Sequence, residues 1–209
     1  MRGCCIESYS ECYLVKCKYD MITLVGAGAL GSHTLMFLRN TNHSIQIIDY
    51  DKVESHNLRS QFHGKPGVGK NKAVALSGII NLLWGIKYII NPNRLTEQNT
   101  NELLSNSDLI IDCLDNSPSR HLVQNYACKH QIPCLHGALA ANGAFGRIIW
   151  TEQFIIDENV GGTATCDDGN YLPFIGLVSA LIAKSAFDFL DSNLKSNFQI
   201  LPSGVVIKL

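Results

Sequence analysis

The stretch MITLVGAGALGSHTLMFLRN, Met21 to Asn40, decides the fold. Met21 to Val25 read as a short apolar strand, GAGALGS occupies Gly26 to Ser32, and the chain continues with helical character to about residue 39. A glycine-rich turn between a strand and a helix lets backbone N–H groups close on a phosphate at the helix N-terminus, where the peptide dipoles favour negative charge. The turn gains direction from IDYDKVESHNLRSQ, Ile48 to Gln61. Asp49 ends a second apolar run, Ile45 to Ile48, about twenty residues past the turn, where a carboxylate accepts ribose hydroxyls. Together the two segments point to a nucleotide.

Working outward, strand-like runs near 21–25, 45–49, 86–90, 108–113 and 132–136 alternate with helix-like runs at about 29–39, 69–83, 97–105 and 117–130. That alternation predicts a parallel sheet covered by helices. Asn116, Ser117 and Pro118 supply a cap and a first-turn proline for the fourth helix. After His136 the pattern changes: GALAANGAFGRIIW, Gly137 to Trp150, leads into an antiparallel hairpin with Phe154 to Ile156, then a helix at about 174–190 and a tail strand at 204–208. The expected organisation is an N-terminal segment, 1–20, followed by one domain, 21–209.

Composition narrows the function classes. The 209 residues are 46% hydrophobic and 17% charged, ordinary globular values, and the net charge of −1 carries no basic block that would suggest a nucleic-acid partner. The most apolar region, Ile175 to Leu190, is broken by Ser179, Lys184, Ser185 and Asp188, which argues against a membrane partner. Met1 to Ser10 lacks the continuous apolar core of a secretory signal, so a cytoplasmic location is expected. Eight cysteines are scattered without a disulfide framework, and reduced thiols are expected. Cys4, Cys5, Cys12 and Cys17 form no CxxC pair, while Cys113, Cys128 and Cys134 read as small hydrophobes.

Five blocks occur in a fixed order: GAGALGS, DYDKVESHNLRSQ, GVGKNKA (Gly67 to Ala73), DLIIDCLDNSPSR (Asp108 to Arg120) and TCDDGNYLPFIG (Thr165 to Gly176). In that order, over roughly residues 21–190, the chain resembles the ubiquitin-activating-enzyme superfamily, specifically its small ThiF, MoeB and HesA adenylyltransferases. The resemblance implies a Rossmann-like α/β fold, a mostly parallel sheet flanked by helices with an antiparallel C-terminal extension. It also implies use of ATP and Mg²⁺ to activate the C-terminal glycine carboxylate of a ubiquitin-like or sulfur-carrier protein ending in Gly-Gly. A homodimer is the implied assembly.

The resemblance assigns roles residue by residue. Gly26, Gly28, Ala29, Leu30 and Gly31 match the phosphate cradle, and Asp49 the ribose position. Asp51 matches a second acid that either touches the ligand or shapes the loop. Asn57 and Gln61 match the NLxRQ block, but the family arginine falls where this chain has Ser60. Arg59 reaches the phosphates if the segment is a turn, and faces solvent if it is helical. Lys72 is selected over Lys65 and Lys70 as the phosphate lysine. Leu114 and Asp115 follow the strand LIIDC at the sheet's carboxyl end; Asp115 is the acid expected to hold Mg²⁺ or its water shell, with helix capping as the plainer role. Arg120 matches the arginine one turn later, and Asp112, inside the strand, reads as structural. Cys166 matches a cysteine that in some relatives takes the activated carboxylate as a thioester, though Asp167 and Asp168 beside it disfavour a thiolate.

Two family features are missing: the paired CxxC motifs of the structural zinc, so no family-type zinc is expected, and the N-terminal arginine-bearing helix, since only Arg2 precedes the first strand. These absences keep a second reading open, a ThiF-like scaffold that docks a carrier or partner. A third, an NAD-dependent oxidoreductase, rests on the glycine turn and Asp49 alone.

Overall fold

The computed structural model describes residues 20–156 and 169–209. One sheet carries the fold, with strand order β3-β2-β1-β4-β5-β6-β7-β8. Its strands are β1 Met21–Val25, β2 Ser44–Ile48, β3 Ile89–Asn91, β4 Leu109–Asp112, β5 Cys134–Leu139, β6 Gly146–Trp150, β7 Phe198–Ile200 and β8 Val206–Lys208. β1 to β5 pair in parallel, and β5 through β8 pair antiparallel. The helices are α1 Ala29–Leu38, α2 Lys72–Trp84, α3 Thr100–Leu104, α4 Ser117–His130 and α5 Leu172–Ser192. The expected parallel sheet with an antiparallel extension is what the chain forms.

Strand alternation builds a core on each face. Ile22, Leu24, Ile45, Ile47, Leu109 and Ile111 face α1, α2 and α5 in one cluster, while Val25, Ile48, Ile110 and Cys134 meet residues of α3 and α4 in the other. By length and composition α5 could cross a membrane, but half of that stretch is buried, and it packs against α1, β5 and β6. That is the behaviour of a core helix.

Several sequence-predicted boundaries move for local reasons. α2 starts at Lys72 rather than 69, because Gly69 is left-handed (φ 84°) and Asn71 is extended and caps the helix, its Oδ1 accepting from Val74 N at 3.1 Å. The hairpin partner expected at Phe154 to Ile156 is absent: Gly146–Trp150 pairs directly with β5, and a 3₁₀ turn at Thr151–Gln153 follows. β7, unrecognised in the sequence, is a three-residue strand too short to show a period.

Register fixes the functional edge. Ile48, Val25 and Asp112 are aligned across β2, β1 and β4, and His136 of β5 pairs with Asp112. The residues that follow them therefore emerge side by side at the carboxyl ends of the strands. Between β1 and β4 the order of connection reverses, which is where open α/β sheets bind ligands.

Candidate functional site

A shallow, solvent-open cleft lies at this edge, lined among others by Gly26, Gly28, Asp49, Asp51, Lys72 and Asp115. The glycines divide the work. A Cβ on Gly26 (φ 93°) would sit 2.9 Å from the Cys113 carbonyl oxygen, and one on Gly31 would collide with the Gly26 carbonyl, so both serve close backbone approach. A Cβ on Gly28 would meet nothing within 4 Å, and no side chain caps α1 at that residue. The N-terminus of α1, with Ala29 and Leu30 in its first turn, thus opens with room before it for an anion.

Asp49 holds the loops together. Its Oδ2 accepts from Ala27 N at 2.7 Å and its Oδ1 from Asp51 N at 2.8 Å. Burial pushes its carboxyl above the ordinary value, against the pull of the Ala27 N–H and the Lys72 charge. Each carboxylate oxygen keeps a further acceptor site for a ligand hydroxyl.

Lys72, the first residue of α2, donates its backbone N–H to Asp51 O at 2.8 Å and places Nζ 3.0 Å from Asp51 Oδ2. Asn71 fastens the same corner, its Nδ2 donating to the carbonyls of Asp49 at 2.7 Å and Asp51 at 3.2 Å. Asn71 was not singled out in the sequence; the signal was there, an asparagine immediately before an apolar helical run. Tyr50, within the IDYDKV block but not singled out there, and Asn93 and Leu95, which belong to none of the five blocks, also line the cleft.

Asp115 is exposed on the β4–α4 connection and lines the cleft with Leu114. The cap of α4 is Asn116, whose Oδ1 accepts from Ser119 N at 3.0 Å, so capping falls to the neighbour. Among the described residues no group of three or more His, Cys, Asp or Glu side chains gathers to hold a metal ion. Asp115 thus belongs to no preformed cluster of three ligating side chains among the described residues, which suits an ion that arrives with its own ligands. Cys113 also lines the cleft, but burial pushes its thiol up to about 12, leaving it inert at neutral pH. Cys134 is buried likewise, whereas Cys128 is exposed and not the packed hydrophobe the sequence suggested.

The NLxRQ counterpart lies outside the cleft lining. Asn57 is buried and closes a reciprocal capping box with Glu54, its Oδ1 accepting from Glu54 N at 2.9 Å. Arg59 ends a 3₁₀ helix, Ser55–Arg59, and is exposed. Ser60 is buried instead, and Gly169 (φ 81°) presses on Arg59, a Cβ there lying 3.0 Å from the Arg59 carbonyl oxygen. Gln61 is half-buried, its Oε1 without a partner among the described residues. Nearby His63, missed in the sequence, donates Nε2–H to Ala27 O at 3.0 Å.

Arg120 is buried beneath the cleft floor rather than lining it. Its Nε donates to Leu114 O at 2.8 Å, its Nη2 to Leu114 O and to Gly137 O at 2.6 Å, and its Nη1 lies 3.5 Å from Asp112 Oδ2. Burial works to raise the Asp112 pKa, but the Arg120 charge and the His136 hydrogen bond prevail and hold it below its ordinary value. Asp112 is the structural residue its strand position implied. Cys166 lies outside the described residues.

The chain is similar in sequence to adenylyltransferases. The adenylyltransferase and sulfurtransferase UBA4 of Meyerozyma guilliermondii is 30% identical over 201 residues, covering 91% of this chain and 47% of that protein. The Candida albicans protein of the same name is 33% identical over 185 residues, covering 81% and 41%. The chain thus spans less than half the length of these relatives. Among solved structures, Escherichia coli MccB with ATP matches with a TM-score of 0.74 at 14% identity, covering 93% of this chain and 64% of that one, a likeness of fold. The model of the ThiF family matches residues 9–202, nearly the whole chain, and the chain belongs to that family.

Proposed function

We propose that this protein is an ATP-dependent adenylyltransferase that activates the C-terminal carboxylate of a ubiquitin-like or sulfur-carrier protein ending in Gly-Gly. The observation that carries the reading is the convergence, on one cleft, of the open α1 N-terminus at Gly28 in the β1–α1 turn, Asp49 and Lys72 at the two ends of the β2–α2 connection, and Asp115 in the β4–α4 connection. The α1 N-terminus and Lys72 would receive the phosphates, and Asp49 the ribose hydroxyls. Mg²⁺ would enter with the triphosphate and supply charge neutralisation, Asp115 holding it or its water shell. In the reaction one carboxylate oxygen of the carrier bonds to the α-phosphorus as the bridge to the β-phosphorus breaks. The electron pair leaves on pyrophosphate, and an acyl-adenylate remains.

The relatives named adenylyltransferases support the activity, and MccB, solved with ATP, supports the nucleotide. A homodimer and a cytoplasmic location belong to the same reading, as does a later thioester or sulfur transfer through Cys166. Carrier-dependent exchange of pyrophosphate into ATP tests the proposal. Calorimetric binding of NAD in preference to ATP would instead favour an oxidoreductase.

The scaffold reading keeps one specific observation in its favour. Lys72 is the cation among the residues named in the cleft lining, since Arg59 and Arg120 are placed elsewhere. ATP binding without any pyrophosphate exchange, with a carrier bound, is the result that would select it.

A further inference from the structure

Beneath the cleft floor, both backbone polar groups of Leu114 are satisfied by charged side chains. Its N–H donates to Asp112 Oδ1 at 2.9 Å, and its carbonyl accepts from Arg120 Nε at 2.8 Å and from Nη2. The Leu114 carbonyl and the Asp115 N–H share one planar peptide unit, so fixing that carbonyl fixes the plane from which Asp115 departs.

The charged groups are themselves held. His136 Nδ1 lies 2.7 Å from Asp112 Oδ2, so Nδ1–H donates to the carboxylate, and Nε2 faces Thr151 Oγ1 at 2.6 Å. The imidazole stacks on Phe154 with centroids 4.1 Å apart and planes 2° from parallel, and the Arg120 guanidinium lies over the same ring at 5.3 Å. Arg120 also donates to Gly137 O at 2.6 Å, tying α4 to β5. β4, α4 and β5 thus each contribute one member.

We infer that Asp112, Arg120 and His136 form a buried clamp that orients the Leu114–Asp115 peptide, making Arg120 a positioning residue for the Asp115 carboxylate and not a group that touches the nucleotide. The inference rests on the adenylation reading for its consequence in turnover, but not for the clamp itself. A buried ion pair is weak evidence of stability, because apolar residues of similar volume often serve as well. Direction is what charges supply here: a guanidinium fork holds two carbonyls and faces a carboxylate in one geometry, which a lysine cannot reproduce.

The test compares Arg120→Lys with wild type by three readouts: amide hydrogen exchange at Leu114 and Asp115, ATP affinity by calorimetry, and carrier-dependent pyrophosphate exchange. Arg120→Lys is expected to lose about tenfold or more of amide protection. Its kcat should fall about 10- to 100-fold, the cost of a small misplacement, while ATP affinity stays within about threefold. Loss of ATP affinity with kcat and protection unchanged would overturn the assignment, as would unchanged protection and kcat together.

If Arg120→Lys does not fold, two His136 variants carry the test. His136→Phe keeps the ring against Phe154 but removes the donor to Asp112, and should lower Leu114 protection; His136→Asn restores a donor and should recover most of it. Equal protection in the two variants would overturn the clamp. Absence of pyrophosphate exchange in wild type would count against adenylation alone, since amide protection decides the clamp without turnover.

Discussion

The ammonium of Lys72 lies 3.0 Å from Asp51 Oδ2, with the Lys72 side chain largely buried and the Asp51 side chain half exposed. A lysine so placed is aimed before any anion arrives, because the start of α2 is fastened by its own backbone bond to Asp51 O. Lys70 and Lys65 are exposed. Lys72→Ala should therefore weaken ATP binding by about 1.5–3 kcal/mol, the range of charge-assisted hydrogen bonds, and Lys70→Ala by much less. Calorimetric titration of ATP into each variant checks this, and equal losses would show that the wrong lysine was selected.

Asn71 performs two separable tasks. Its Oδ1 caps α2, and its Nδ2 holds the carbonyls of Asp49 and Asp51. Asn71→Asp keeps the acceptor and loses both donors, turning a carboxylate toward two carbonyls. It should destabilise the fold by about 1–3 kcal/mol, the cost of buried acceptors left unmet. Asn71→Ala loses the cap as well, for about 1 kcal/mol. Denaturant unfolding of the pair provides the measurement, and wild-type stability in Asn71→Asp would show that the loop is held by other contacts.

The sheet and the nucleotide edge were legible because they rest on local patterns: apolar runs at Met21–Val25 and Leu109–Asp112, and glycines where only glycine fits the Gly26 and Gly31 approaches. Residues acting across long separations were not legible. Nothing around His136 in the sequence says that it meets Asp112 or Thr151, and the resemblance that matched Arg120 to a site arginine could not show that its acceptors are carbonyls, which every residue carries. Asn57 looked like a ligand for a similar reason, since its partner is the backbone of Glu54.

Ser60 and Arg59 invite an exchange that would restore the family order. Ser60 is almost fully buried while Arg59 is exposed, so the exchange would force a guanidinium into a packed site with no carboxylate bonded to Ser60 among the described residues. The double variant Arg59→Ser, Ser60→Arg should lose stability by about 3 kcal/mol or more rather than gain activity. A thermal midpoint equal to wild type together with faster pyrophosphate exchange would show that the pocket opens to accept the arginine.

His63 donates Nε2–H to Ala27 O and leaves a buried Nδ1 without a partner among the described residues, so a second proton would be charged and unsatisfied near the Lys72 ammonium. Burial, foremost, lowers its pKa from 6.5 to about 4. The folded state therefore resists a proton that the unfolded chain accepts. Stability from this group is complete above pH 6.5 and is lost as pH falls toward 4, by about 3 kcal/mol at most. His63→Gln should flatten the unfolding free energy across that window, with a residue of slope from His33, whose pKa is also lowered by burial. An unchanged slope in urea titrations from pH 7 to pH 4 would assign the acid sensitivity elsewhere.

Asp115 and Asn116 are adjacent, yet their side chains divide between chemistry and stability. Asn116 caps α4 through Ser119 N, whereas Asp115 is exposed beside the cleft. Asp115→Ala should leave stability within about 0.5 kcal/mol of wild type, as a surface change free of structural partners does. It should lower acyl-adenylate formation by about 100-fold or more, because the charge leaving on pyrophosphate loses its organised counter-ion. Asn116→Ala should behave in the opposite sense, costing about 1 kcal/mol of stability through the lost cap with a smaller effect on turnover. Paired urea denaturation and pyrophosphate-exchange measurements on the two variants separate these roles. If Asp115→Ala keeps full exchange activity, the carboxylate that organises the leaving group must come from another side of the cleft, with Asp51 the next to remove.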